Sequence, residues 1–312
     1  MAHASLLVVP PQQRSTEDAL RTTIAAVALA RGERTGVLVS NFIDDDTSIL
    51  GARELIGSSR PRRATTGRTV TVHGRVLHQV LAVSSVDYLC WGSVQGDRFE
   101  RAAETFRSGF SRVGLLPDHL GSDFLSYEGR PGTVFGYDAD AGGGIVLEAF
   151  TGLDNPVLST RAGQKPPLAL CELSDIAAPE LLLEDFARGA CCGSDAVPLG
   201  APLELGRALS VLRGPEPDAT VSERSTLTGA AAAVVRGPRV RLRGDFLGSN
   251  WALDRAEERL SEAIGLGELP QEEHLERLTE FGLRGVEVSL LVDLVREALA
   301  EDQQRYRGAS NR

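Results

Sequence analysis

Residues 86–109 read VDYLCWGSVQGDRFERAAETFRSG, and residues 133–148 read TVFGYDADAGGGIVLE. In the first stretch Phe99, Ala102, Ala103 and Phe106 follow the i, i+3, i+4, i+7 spacing of one buried helical face. Residues 77–89, LHQVLAVSSVDYL, form a largely apolar run that predicts a strand leading into that helix. Cys90 then falls between strand and helix. A helix N-terminus stabilises a thiolate, so this placement suits a nucleophile; a buried structural thiol is the competing reading. The second stretch sets a Gly-rich turn ahead of the short β run Gly144–Glu148.

Working outward, residues 4–10 predict a first strand that ends at Pro10 and Pro11. Ser15 or Thr16 caps a helix over EDALRTTIAAVALARG, closed by Gly32. TGVLVSNF (35–42) is a second buried strand, and this strand–helix–strand order predicts parallel pairing in an α/β layer. Asp44, Asp45 and Asp46 read as a solvated acidic turn, and residues 49–55 as a short helix. The basic segment SSRPRRATTGR follows, in which Arg60, Arg62, Arg63 and Arg68 are candidates for phosphate contacts, because a planar guanidinium donates in pairs. A solvated loop is the plainer alternative.

Residues 220–312 predict a helix over Ala230–Val235, the strand PRVRLRGDFLG and a helix over SNWALDRAEERLSEAIGLG capped by Ser249 or Asn250. A long amphipathic helix then covers VEVSLLVDLVREALAEDQQ. The chain divides into 1–158, a connecting or cap region 159–219, and 220–312.

The formal net charge is −10, which argues against broad contact with nucleic acid or anionic membranes. No apolar run is long enough to span a bilayer, and the N-terminus lacks a signal-peptide layout. Cys90, Cys171, Cys191 and Cys192 form neither a disulfide framework nor a spaced metal site, so a reducing cytoplasm is expected. Lys165 is the only lysine.

Cys90 at a helix start, followed by FGYDADAGGGIVLE, resembles the thiolase superfamily and within it the ketoacyl-ACP synthase III-like proteins. The resemblance implies an α/β fold of two pseudo-duplicated halves, with buried helices between mixed five-stranded-type sheets. It implies Cys90 as acyl nucleophile and places Asn250 in the catalytic motif of the second half, with coenzyme A or a phosphopantetheine-carrier thioester as substrate and no tightly bound cofactor. On the same alignment Leu247 and Leu283 stand where the family has its oxyanion donors. Leucine offers no hydrogen, so the expected function is a catalytically impaired partner subunit of an active synthase. Two alternatives stand beside it: acyl transfer through Cys90 without decarboxylation, and an unrelated α/β binding protein. The expected partners are a homodimeric or heterodimeric synthase III-like subunit and an acyl carrier protein.

Overall fold

The computed structural model describes residues 6–50, 60–61, 63–89, 98–121, 123–157, 165–173, 179–191, 196–201, 203–205, 211–212, 219–226 and 228–310. The first unit holds β1 (Leu6–Val8), β2 (Gln12–Arg14), α1 (Thr16–Glu33), β3 (Gly36–Leu50), β4 (Arg60–Pro61), β5 (Val70–Val83) and α2 (Arg98–Arg112). It continues through β6 (His119–Leu120), β7 (Phe124–Tyr127), β8 (Arg130–Ala139), β9 (Ile145–Gly152), α3 (Pro179–Ala190), β10 (Ala196–Pro198) and β11 (Val211–Leu212). The second holds β12 (Thr220–Ser225), β13 (Ala230–Arg236), β14 (Arg239–Gly244), α4 (Asn250–Gly265), α5 (Glu276–Glu280) and α6 (Val288–Ser310).

Nine strands build one mixed sheet in the order β10-β1-β3-β5-β9-β8-β7-β6, with β2 on β3. The opening strand–helix–strand unit pairs β1 with β3 in parallel, Leu6 opposite Gly36. Ser15 caps α1, its hydroxyl accepting from the Asp18 amide at 3.2 Å. The helix runs past Gly32 and stops at Arg34, whose left-handed backbone (φ 51°) lets its amide close on the Ala30 carbonyl.

Helices cover both faces of this sheet, so its central strands are apolar on both sides. On one face α1 buries Ala19, Leu20, Ala26 and Ala30. On the other, Phe99, Ala102, Ala103 and Phe106 of α2 are all buried, as their spacing requires. The Phe99 ring meets Phe135 and Tyr137 of β8 edge-on at 5.8 and 5.7 Å. Behind α2, the Phe186 ring of α3 packs on Phe110 at 5.0 Å. Gly109 permits this approach, since a Cβ there would stand 2.6 Å from the Phe186 ring.

Several expectations are corrected. Asp44–Asp46 and Ile49–Leu50 belong to β3, which forms a long hairpin with β5 whose register shifts between Asp45 and Ser48. Residues 51–55 lie outside the described residues. Ala230–Val235 is strand rather than helix. Alanine favours a helix in isolation, but tight turns on both sides force the run into pairing between β12 and β14. The two pseudo-duplicated halves are absent as well. The second unit carries a three-stranded antiparallel sheet, β12-β13-β14, which does not repeat the nine-stranded mixed sheet of the first.

In that second unit the edge strand β14 is closed by α4 side chains. Glu257 accepts from the Leu242 amide at 2.8 Å and from Arg241 Nη1 at 2.6 Å, and Ser261 Oγ accepts from the Val240 amide at 3.0 Å. Edge amides left bare invite strand addition, and helix side chains remove the opportunity. The variant Glu257→Ala therefore loses about 1–3 kcal/mol of stability by removing the carboxylate that accepts from the Leu242 amide and from Arg241. Urea denaturation measures this, and an unchanged midpoint would refute the edge-closing role.

Candidate functional site: the loop 63–69 junction

Residues 63–69 read RATTGRT and run between β4 and β5 with no regular structure over most of their length. Their backbone is anchored at Thr66, whose amide and carbonyl exchange hydrogen bonds with Tyr137 of β8 at 2.9 and 3.0 Å. Thr66 thereby stands in for a neighbouring strand beside the second half of β8. Gly67 completes the crossing with φ +127°, a conformation that L side chains rarely adopt.

Arg63 leaves this loop and enters the face of the sheet that α1 covers. Its Nε donates to Glu148 Oε2 at 3.0 Å, its Nη1 to the Arg68 carbonyl at 2.9 Å and its Nη2 to Thr65 Oγ1 at 3.2 Å. Thr65 Oγ1 donates to the same Glu148 oxygen at 2.5 Å. The other oxygen, Oε1, accepts from Thr23 of α1 at 2.8 Å and faces His78 Nε2 of β5 at 3.0 Å. Behind the imidazole, Asn41 Nδ2 lies 3.2 Å from His78 Nδ1 and donates to Thr22 at 2.8 Å. The Arg63 guanidinium and the His78 ring also lie 4.9 and 4.8 Å from the Phe150 ring.

Both ends of the Arg63–Glu148 pair are 0% exposed. Burial alone would raise the Glu148 carboxyl, but the Arg63 charge, the His78 contact and the Thr65 hydrogen bond hold it well below the ordinary carboxylate range. Gly136 makes room for the arrangement, because a Cβ there would collide with the Arg63 guanidinium. A second enclosed pair flanks it, with Arg68 Nε and Nη2 on the two oxygens of Asp123 at 2.8 and 2.9 Å.

The other side of the loop carries the second unit. Thr66 Oγ1 accepts from the Gly248 amide at 2.8 Å, and Thr69 donates through its amide and hydroxyl to Asp245 at 2.8 Å. Asn250, the first residue of α4, donates from Nδ2 to the Ala64 carbonyl at 2.9 Å and from its amide to Asp138 Oδ1 at 2.7 Å. Ser249 caps α4 and also bonds the Ala139 carbonyl. Burial pushes the half-buried Asp138 carboxyl up to about 6, against the lowering effects of the Asn250 and Ala139 hydrogen bonds and of Arg31. Asp138 also lines a narrow crevice with Val27, Arg31, Asp140, Gly144 and Ile145, whose space of about 20 Å³ suits a single water.

Of the residues singled out from sequence, Arg63, Arg68 and Asn250 fall at this junction, Arg68 in its pair with Asp123. Arg60 contributes its backbone to β4, opposite Leu212 of β11. Cys90 and Arg62 lie outside the described residues, as does Cys192. Leu247 and Leu283 are apolar packing positions, and Leu247 exchanges backbone hydrogen bonds with Arg284. Glu148, His78, Asp138 and Asp123 carry most of the polar network and were not singled out. The available signal was a charged residue inside the apolar run Ile145–Phe150, since a carboxylate there requires buried partners.

No family model matches this chain, and no curated protein matches it. Solved structures do. P. falciparum LipL1 in complex with lipoate superposes with a TM-score of 0.58 at 10% identity, covering 95% of this chain and 99% of that one. The chain has the LipL1 fold. Weaker likenesses reach lipoate-protein ligase A bound with ATP (TM-score 0.47, 14% identity, 63% of this chain and 89% of that one) and the biotin protein ligase of Leishmania major with biotin (0.37, 14%, 78% and 95%).

This likeness corrects the thiolase-superfamily resemblance and the synthase III-like function drawn from it. Cys90 and the Gly-rich segment are short motifs, whereas the LipL1 correspondence runs through both units. A synthase III-like partner subunit rested on the same resemblance and has no support. Among the described residues no helix is long and apolar enough to cross a membrane, and no group of three or more His, Cys, Asp or Glu side chains is placed to hold a metal ion.

The junction yields two expectations. Gly136→Ala pushes against the Arg63 guanidinium and lowers stability by about 1–3 kcal/mol, read as a shifted urea midpoint. For Asp138 the folded-state value of about 6 lies above the ordinary aspartate value of 3.8. The folded state therefore holds this proton more tightly than the unfolded chain, and the resulting stability is lost as pH rises through about 6. Asp138→Asn keeps an oxygen for the two amides and removes the titration. Its melting temperature relative to wild type should rise between pH 4 and pH 7; a pH-independent difference would contradict the assignment.

Proposed function

We propose that this chain belongs functionally with proteins that handle a lipoate-type carboxylic acid, joining it to the side-chain amine of a carrier protein. The observation that carries this reading is the end-to-end fold likeness to LipL1, whose structure was solved in complex with lipoate. The likeness includes the second unit, so it is not confined to a common sheet motif.

The chemistry sets requirements on such a chain. A carboxylate is a poor electrophile, so it must first be activated, with a nucleoside triphosphate as the natural source of the leaving group. The amine then forms an amide bond at the carboxyl carbon, and the activating group departs with one carboxyl oxygen. We place the ligand-handling region at the meeting of loop 63–69, the end of β8 and the start of α4. Three elements converge there, and burial raises the Asp138 carboxyl to about 6. The expected partner is a carrier protein, and the expected small molecules are the acid and the nucleotide.

One observation favours a second reading, in which the chain binds a carrier protein without transferring anything to it. The interior beneath loop 63–69 is occupied by Arg63, Glu148 and His78, all enclosed, and the neighbouring crevice admits only a water.

A single experiment separates the two. The purified chain is incubated with lipoate or octanoate, ATP, magnesium and a lipoyl carrier domain, and the carrier is examined by intact-mass spectrometry and size-exclusion chromatography. A mass gain of one acyl group on the carrier supports ligation. Co-elution without mass gain supports the binding reading, and neither result would dismiss both.

A further inference from the structure

We propose that Thr23, Arg63, Thr65 and His78 form a carboxylate receptor that the chain fills with its own Glu148, and that a free monocarboxylate occupies it once that side chain is cut back. The receptor is independent of the function proposed above, since it involves neither a carrier protein nor a nucleotide.

The four contacts come from three separate elements, α1, the 63–69 loop and β5, and they are divided two to each carboxylate oxygen. Two contacts on each oxygen, with the guanidinium bond on Oε2, make a strong environment for a carboxylate. Each receptor group is also held by something other than Glu148. Arg63 Nη1 is fixed by the Arg68 carbonyl at 2.9 Å, and the guanidinium rests in the space that Gly136 leaves open. His78 is braced by Asn41 Nδ2 at 3.2 Å and by the Phe150 ring at 4.8 Å. Thr23 belongs to α1, and Thr65 to the loop that Thr66 anchors on β8. With the Glu148 side chain removed, the receptor keeps its supports and loses only its occupant.

Glu148→Ala removes a CH₂COO⁻ group, and acetate has nearly that shape and charge. The variant leaves the Arg63 charge enclosed and unpaired, which is costly away from water, so an entering acetate restores the missing partner. In the wild-type chain the position is filled and acetate has nothing to occupy.

The test uses the full-length chain. Thermal unfolding of wild type, Glu148→Ala and the double variant Glu148→Ala/Arg63→Met is followed in sodium acetate, in sodium chloride of equal ionic strength and in acetamide. The expected result is a lowered melting temperature for Glu148→Ala, with a saturable rise in acetate that chloride and acetamide do not produce. Wild type and the double variant should show no acetate-specific rise. Binding is read independently from broadening and shift of the ¹³C-acetate resonance in the presence of Glu148→Ala. If that variant is insoluble, it is refolded from urea in acetate or chloride. Soluble recovery in acetate alone supports the receptor, and no recovery in either salt overturns it. The proposal also fails if acetate acts no more strongly than chloride, or if the double variant responds as fully as Glu148→Ala.

Discussion

The buried pair of Arg63 and Glu148 is the constraint on which the rest of this structure depends. Removing two opposite charges from water is expensive, and their attraction offsets the cost only when every remaining hydrogen-bonding position is also satisfied. Here that condition draws in Thr23 from α1, Thr65 from the loop, His78 from β5 and the Arg68 carbonyl. A helix, a neighbouring strand and an irregular loop are thereby tied to one carboxylate of β9. Strand β8 must carry glycine at position 136 for the guanidinium to lie against it.

The same loop joins the two units of the chain. Its inward side serves the Arg63–Glu148 pair, while Thr66, Thr69 and Ala64 hold Gly248, Asp245 and Asn250. The Arg63–Glu148 pair and the start of α4 are therefore held by neighbouring residues of one loop. Asp138 adds a contact between the units, since it receives the Asn250 amide from the second while belonging to β8 of the first. The fold places its most polar interior and its inter-unit contact on opposite sides of a single short segment.

Fold likeness to LipL1 at 10% identity has a general physical basis. What a fold requires is the pattern of buried positions, the strand register and the turns, all of which tolerate wide change in residue type. Chemistry is carried by particular side chains in loops and at strand ends, and these vary without disturbing the layers. The short motifs around Cys90 and residues 135–148 resemble the thiolase superfamily because a helix after a strand and a Gly-rich turn before one occur in many α/β folds. Such motifs constrain local shape far more than they constrain the order of strands in a sheet.

Local periodicity by itself determined the buried face of α2, the Ser15-capped start of α1 and the long closing helix, because each depends on neighbours three or four residues apart. Arg63, Arg68 and Asn250 were legible as notable residues, but their partners across the junction were not. Glu148 meets Arg63 across 85 positions and Thr23 across 125, and Asn250 meets Ala64 across 186. The alanine run 230–233 shows the same division from the other side, since its own preference is helical and its partners in β12 and β14 make it a strand. Only the tertiary structure decided these pairings. Their energy lies in contacts between distant segments, and no pattern within either segment specifies which partner will be buried against it.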